Sequence, residues 1–441
     1  MKAKPLYTAI LMSLLLSVGM IAGISSPASA AGTTYFVSAV GSDSNTGTSA
    51  ATPWKSLTKV NQAILKPGDT VSFRRGDTFT GGVVTAQSGT SASPITLNSY
   101  GTGGAPTVTG GKSGNCVRIN GDFTIVEGLR AVSCGYAGYS VVGDHNTLRN
   151  SSASSNAAGV KISTGSDFGT YTGNALTNNN IMNVNTPGTN CGTPQAVNCS
   201  DDSGAFGILI NGNDNEVAGN TVSGSAAASF DFKLDGGAIE IFNGNRNNIH
   251  HNIGVDNNSF AELGRSSAGT ADNNAYRYNL VRSTCGTNCA QAKGFIARGA
   301  TTSFGPTNGT VFEYNTVYLN GPDSQAMVCH ASCPASTVIR GNILVGVKNS
   351  LWINGSGWTE RQNVLNGPRN FTLNSTSTAA PAGFVNAPAD LHLTATSPAI
   401  DRAGVSSSLT DLDGGAVPQN GDCQGTADAD SGAYEYDSPN C

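Results

Sequence analysis

Along most of this chain apolar residues come in runs of three to five, alternating with polar ones and cut off by Gly, Asn or Ser. Between residues 140 and 365 two kinds of short apolar phrase take turns. One is the series YSVV, GVKI, GILI, AIEI, FAEL, GFIA and AMVC. The other ends in Asn: TLRN (Asn150), EVAGN (Asn220), NIHHN (Asn252), AYRYN (Asn279), VFEYN (Asn315) and VIRGN (Asn342), with a weaker copy, ALTNNN, near Asn179. The last four intervals between these asparagines are 32, 27, 36 and 27 residues. Period-two alternation in such short runs belongs to strands. Two or three strands in a repeat of about 27 residues make one coil of a parallel β-helix. Asn at the recurring corner tolerates a left-handed turn, and its amide bonds to the backbone and to the Asn above and below. The Asn column is therefore read as structural and not as a row that binds sugar.

The ends of the chain depart from the repeat, as the caps of a solenoid must. In SLTKVNQAILKPGD, Leu57, Val60 and Ile64 recur at helical spacing and the phrase stops at Pro67-Gly68, which predicts a short capping helix. Strands follow around TVSFRRG and PITLNSY. The expected layout is an N-terminal cap and first strands over 31–115, coils over 116–367, and an irregular C-terminal cap or tail over 368–441, packed on the helix and tied by Cys423 and Cys441.

Composition narrows the class. Only 53 of 441 residues are charged and 56 are Gly, which disfavours helical bundles and sheets wrapped by amphipathic helices. An apolar fraction of 38% disfavours general disorder. Residues 1–30 read as an export signal, with Lys2 and Lys4 before the apolar stretch Ala9 to Gly23 and the small residues Ala28-Ser29-Ala30 at the cleavage position. Without that segment 22 basic and 29 acidic residues remain, a net charge of −7. The expected protein is secreted, extracellular and monomeric, with neither a basic cluster for nucleic acid nor a membrane span. Ten cysteines in an exported chain point to disulfides. Their spacing suggests Cys116 with Cys134, Cys191 with Cys199, Cys285 with Cys289, Cys329 with Cys333, and Cys423 with Cys441, although sequence leaves the connectivity open.

Chemistry is sought where charge is concentrated against this neutral background. Aligning the second strand of each coil sets Lys161 (GVKI), Leu209 (GILI), Glu240 (AIEI) and Glu262 (FAEL) in one outward column. Adjacent rungs lie about 4.8 Å apart. Two unshielded carboxylates that close repel, so one pKa rises unless a cation stands between them. Asp235 and Lys233 lie just upstream, with parity that puts both on one face if the strand is continuous. Arg298 and His330 fall at or next to the same column.

Two reactions suit this set. In a glycoside hydrolase, the expectation preferred here, Glu240, Glu262 and Asp235 supply the acid and the nucleophile or base. Lys233, Lys161, Arg298 and His330 then bind substrate, and no cofactor is needed. In a lyase acting on a uronic-acid polymer, Glu240 and Glu262 hold Ca²⁺ against the substrate carboxylate, and a Lys, Arg or His takes the α proton. A third class, a non-catalytic glycan-binding or adhesin solenoid, needs only the coils. An acidic pair holding a structural Ca²⁺ is the plainest alternative for the two glutamates.

The phrases YFVSAVGSDSNTGTSAATPWKSL and LKPGDTVSFRRGDTF, followed by Asn-rich coils, resemble the pectate-lyase-like right-handed β-helix superfamily over nearly the whole mature chain. The resemblance implies an all-β, right-handed parallel β-helix and a secreted carbohydrate-active protein acting on an extracellular polysaccharide. It does not select the reaction, because that superfamily includes lyases, hydrolases, epimerases and phage tailspikes. The stretch DGGAIEIFNGNRNN is similar to the calcium-binding coil of the alginate lyase and chondroitinase B family. That family's first glutamate and catalytic Lys are replaced here by Ala238 and Asn245.

Overall fold

A computed structural model describes residues 32–111, 113–186, 202–230, 232–406, 408 and 410–440, with only the backbone of 287 and 288. The export segment and the Cys191–Cys199 pair lie outside these residues. The described chain winds as a right-handed parallel β-helix. Each complete coil gives one strand to each of three sheets, and the coils at the ends give fewer, so that the sheets have 12, 10 and 12 strands among the described residues. One such coil runs through Gly237–Phe242, Asn248–His250 and Ile253–Val255 before the next opens at Ser259–Gly264.

In-register stacking makes the core. Ile208 sits on Ile239, and Ala261, Phe295 and Met327 follow one another in the same sheet. All five are fully buried. Tyr276 stacks on Phe312 at 5.5 Å between ring centroids.

The asparagines form a buried ladder along this core. Nδ2 of Asn220 donates to Oδ1 of Asn252 at 2.9 Å, Asn252 to Asn279 at 3.0 Å, Asn279 to Asn315 at 2.9 Å and Asn315 to Asn342 at 2.9 Å. The left-handed residue is the one before each Asn: Gly219, His251, Tyr278, Tyr314 and Gly341, with φ of 63, 54, 49, 54 and 60°. That residue bends the chain so that the next side chain points inward, where its amide satisfies backbone groups. The first two phrases read from sequence are corrected. Asn150 is itself left-handed, at φ 49°. Ser151 takes the ladder place, its N–H donating to Oδ1 of Asn174 at 3.1 Å. Asn179 belongs to a second ladder, accepting from Asn156 at 2.9 Å.

At the N-terminal end the helix covers Leu57–Gln62, with Ser56 as its N-cap accepting from the Lys59 N–H. Leu57 and Val60 are buried as the spacing predicts. Ile64, by contrast, lies beyond the helix and is 80% exposed, and Leu65 enters the core in its place. The three sheets already take strands before Cys116, among them Thr70–Arg74 and Ile95–Tyr100. At the other end the tail lies on the coils: Ala382, Leu393 and Ala399 pack on Ile343 and Val364, and Leu391 and Tyr434 on Leu280.

Disulfides join Cys116 to Cys134, Cys285 to Cys289 and Cys329 to Cys333. Cys423 is also disulfide-bonded; its expected partner, Cys441, lies outside the described residues. Among the described residues no helix is long and apolar enough to cross a membrane.

Candidate active site

The carboxylates gather on the outer face of the 10-stranded sheet. Strand Gly237–Phe242 pairs with Ser259–Gly264 so that Gly237 meets Ser259 and Ile241 meets Leu263, which stacks Glu240 on Glu262. Leu209 lies above Glu240 and Lys161 above Leu209. Below Glu262 come Ile296 and Val328. Period-two alternation fixes the direction: Ile239 and Ile241, on either side of Glu240, are fully buried, as are Ala261 and Leu263 beside Glu262. The glutamates therefore point away from the core, one rung or about 4.8 Å apart.

Their surroundings differ. Burial, then the charges of Glu262 and Asp235, push the Glu240 pKa well above its ordinary value, and Arg298 and Lys161 only partly oppose this. Glu262 is instead tied to Arg298, whose Nε lies 3.0 Å from Oε1 and whose Nη2 bonds the same oxygen. Burial and the nearby Asp202 push Asp235 up to about 6. Burial brings Lys161 down to about 8, with Glu240 pulling the other way. The His330 pKa is lowered by burial and by Arg298 and Lys293.

Arg298 and His330 are cross-strand neighbours, two positions along the strands from the glutamate column. Asp235 arrives from a different element than sequence parity implies. Lys233–Asp235 is not continuous with the strand after it. It pairs antiparallel with Ala227–Ser229 as a hairpin, and Gly236, at φ 133°, separates it from Gly237–Phe242. The hairpin leaves Lys233 exposed while Asp235 interacts with Glu262 and Lys293. Lys233 is thus not brought into the cluster, because a hairpin turn replaces the continuous strand that the parity argument needs.

Three participants escape the sequence reading. Lys293 is a half-buried lysine whose pKa is lowered by burial, with Glu262 and Asp235 pulling the other way. It opens the strand containing GFIA, one position outside the phrase that was aligned. Asp202 accepts from the Ser229 hydroxyl on the hairpin and lies just before strand Ser203–Gly204, where the sequence carries no periodic signal. Tyr136, whose pKa is raised by burial and by Glu240, lies just before its strand. As a Ca²⁺ centre the group fits poorly. Glu262 is committed to Arg298 and Asp202 to Ser229, and Lys161 and Lys293 stand against the other acids. That falls short of the six to eight oxygens Ca²⁺ takes.

Solved structures share this architecture. Pectate lyase Pel9A superposes with a TM-score of 0.63 over 92% of this chain and 97% of that one, at 16% identity. The two share a right-handed parallel β-helix. XylC, solved in complex with xylose, superposes at 0.56 over 76% of this chain and 75% of its own, at 9% identity. The native GH136 lacto-N-biosidase from Eubacterium ramulus superposes at 0.51 over 76% and 64%, at 15% identity. In sequence, 75 residues are 45% identical to the lacto-N-biosidase of Bifidobacterium longum subsp. longum, a stretch that is 16% of this chain and 5% of that protein. The chain thus matches about a twentieth of the length of this curated relative. No protein-family model matches the chain.

Proposed function

We propose that this protein is an exported glycoside hydrolase acting on an extracellular polysaccharide. One observation carries the reading: two stacked glutamates sit in opposite electrostatic settings, Glu240 pushed toward its protonated form and Glu262 matched by a guanidinium. Environments that split a carboxyl pair in this way assign the acid and the base. Glu240 gives its proton to the glycosidic oxygen as the bond to the anomeric carbon breaks. Glu262 attacks that carbon, Arg298 occupying Oε1 and leaving the other oxygen to reach it. Water, deprotonated by Glu240, then releases the sugar from Glu262 and restores both groups. Carboxyl groups one rung apart match the separation of about 5–5.5 Å found in enzymes that retain anomeric configuration. The short stretch shared with the Bifidobacterium longum lacto-N-biosidase, and the Eubacterium ramulus lacto-N-biosidase of the same fold, support this reaction class. The export signal and the disulfides support an extracellular setting.

Lys161 favours a second reading, β-elimination on a uronic-acid polymer. Near pH 8 it is a base that Arg298 and Lys293 could serve by neutralising the substrate carboxylate. One assay separates the two. The mature protein is incubated with neutral and uronic-acid polysaccharides, with and without EDTA, and reducing ends are followed together with the ultraviolet absorbance of unsaturated uronates. Reducing ends alone, unaffected by EDTA, are expected. Both signals together establish elimination, and their loss with EDTA would restore a calcium role. Binding without either signal leaves the adhesin reading.

A further inference from the structure

The site also fixes the direction in which a polymer can lie. Along the helix axis the glutamate column is closed on both sides: Leu209 and Ile296 are 7% and 4% exposed, and Val328 beyond is fully buried. Leu209 is roofed by Phe206 and Tyr136. Along the strands Arg298 and His330 lie two positions past the glutamate column and Asp235 and Lys293 on its other side, with exposed aromatic residues at each end. Past Glu240, on the same face and about 7 Å on, comes Phe242, whose ring meets Phe304 at 6.4 Å and 61°. Phe304 is 43% exposed. Its loop is held by Arg265, whose N–H donates to the Phe304 carbonyl at 2.9 Å and whose Nε donates to that of Pro306 at 3.2 Å. At the opposite end stands the hairpin bearing Asp235, where Phe230 and Phe232 are 50% and 56% exposed. Asn185 holds it by accepting from the Phe230 N–H at 3.1 Å, and Gln291 by donating to the Leu234 carbonyl at 3.0 Å.

We propose that the glycan crosses the sheet parallel to its strands, its cleaved linkage over Glu240 and Glu262, one flanking sugar on Phe304 and Phe242 and another on Phe230 and Phe232. Exposed aromatic side chains on anchored loops beside an acid cluster mark a binding surface more than a packing one. The C–H faces of sugar rings cover such aromatics while their hydroxyls meet the polar strip between. This path deepens the hydrolase reading and rests on it for the position of the linkage, but binding can be read without turnover.

The test uses Glu240→Gln as the parent, run in native gels containing polygalacturonate, xylan, galactomannan or arabinogalactan. On the gel that retards it, Phe304→Ala and the double variant Phe230→Ala/Phe232→Ala are each expected to weaken retention about tenfold. Trp352→Ala is the axial control. Trp352 lies in the glutamate column, next to Val328, is 39% exposed, and its loss is expected to change nothing. Unchanged retention of both Phe variants, release by Trp352→Ala instead, or no retardation of the parent on any of the four gels overturns the crosswise path. If the parent is retained and the Phe variants are not, yet wild type frees no reducing ends, hydrolysis fails while the path stands.

Discussion

At the scale of single residues, chemistry here depends less on which acids are present than on what each one faces. Glu240 and Glu262 are the same residue type one rung apart, and the alignment of AIEI with FAEL is enough to stack them. Their opposite electrostatic settings are not legible in that alignment. They come from Arg298, two positions along a neighbouring strand, and from Asp235 and Lys161, which reach Glu240 from other elements. Glu240→Gln and Glu262→Gln are each expected to lower turnover by at least about 100-fold with the circular dichroism spectrum unchanged; near-native rates in either would remove that residue from the mechanism. Lys161 sharpens the test because its charge lowers the Glu240 pKa. Replacing it by Met raises that pKa further. The alkaline limb of kcat/KM, where the acid loses its proton, should then move to higher pH; a shift to lower pH would mean that Glu240 is not the acid.

At the scale of elements, the repeat was visible because the Asn phrases share a corner, but the corner's mechanics were not. The left-handed turn falls on whichever residue precedes the Asn, even Tyr278 or Tyr314. A bulky residue is tolerated there because the ladder behind it satisfies the turn's backbone. Oδ1 of Asn279 accepts from both the backbone N–H and the side-chain amide of Asn252, at 3.0 Å each. Asn279→Ala leaves the Asn252 backbone N–H buried and unpaired, while the Asn252 side-chain amide keeps the Val217 and His250 carbonyls, at a cost of about 1–3 kcal/mol read from chemical denaturation; a smaller loss than an exposed Asn→Ala control would show the ladder to be ornamental. The hairpin is the element that sequence parity misread, since period two carries no sign of a turn at Gly236. At φ 133° an L side chain is strained. A Cβ there would also lie 2.8 Å from the Ser225 carbonyl oxygen and from the Ala205 Cβ. Gly236→Ala should therefore displace Asp235 and depress activity while the coils still melt cooperatively.

For the whole molecule, the coils were legible because stacking repeats one pattern, whereas the tail is packed by contacts that occur once. Its aspartates read as turn formers, and they do accept backbone N–H groups, but the fold also buries them together. Asp430 is fully buried, accepting from the Asp401 N–H at 2.6 Å and the Tyr436 N–H at 2.7 Å. Its own N–H donates to Glu435 at 3.1 Å. Glu435 in turn donates its N–H to Asp411 at 3.0 Å. Burial, then the charge of Glu435, raises Asp430 to about 8; burial raises Glu435 to about 7 despite its backbone bonds. Both values exceed the ordinary carboxylate range of about 4, which holds in the unfolded chain. Between about pH 4 and 8 the folded tail therefore binds more protons than the unfolded one, and its stability falls as pH rises. The stabilisation is complete below about pH 4 and is lost through pH 7 to 8. Melting temperature and resistance of residues 400–440 to limited proteolysis should both be higher at pH 5.5 than at pH 8.5. Glu240 and Asp235 on the outer face of the 10-stranded sheet shift in the same direction, so Asp430→Asn is the control. It should flatten the pH dependence of tail proteolysis and leave that of turnover in place; a tail equally protected at both pH values in the wild type would place the pH-sensitive burial elsewhere.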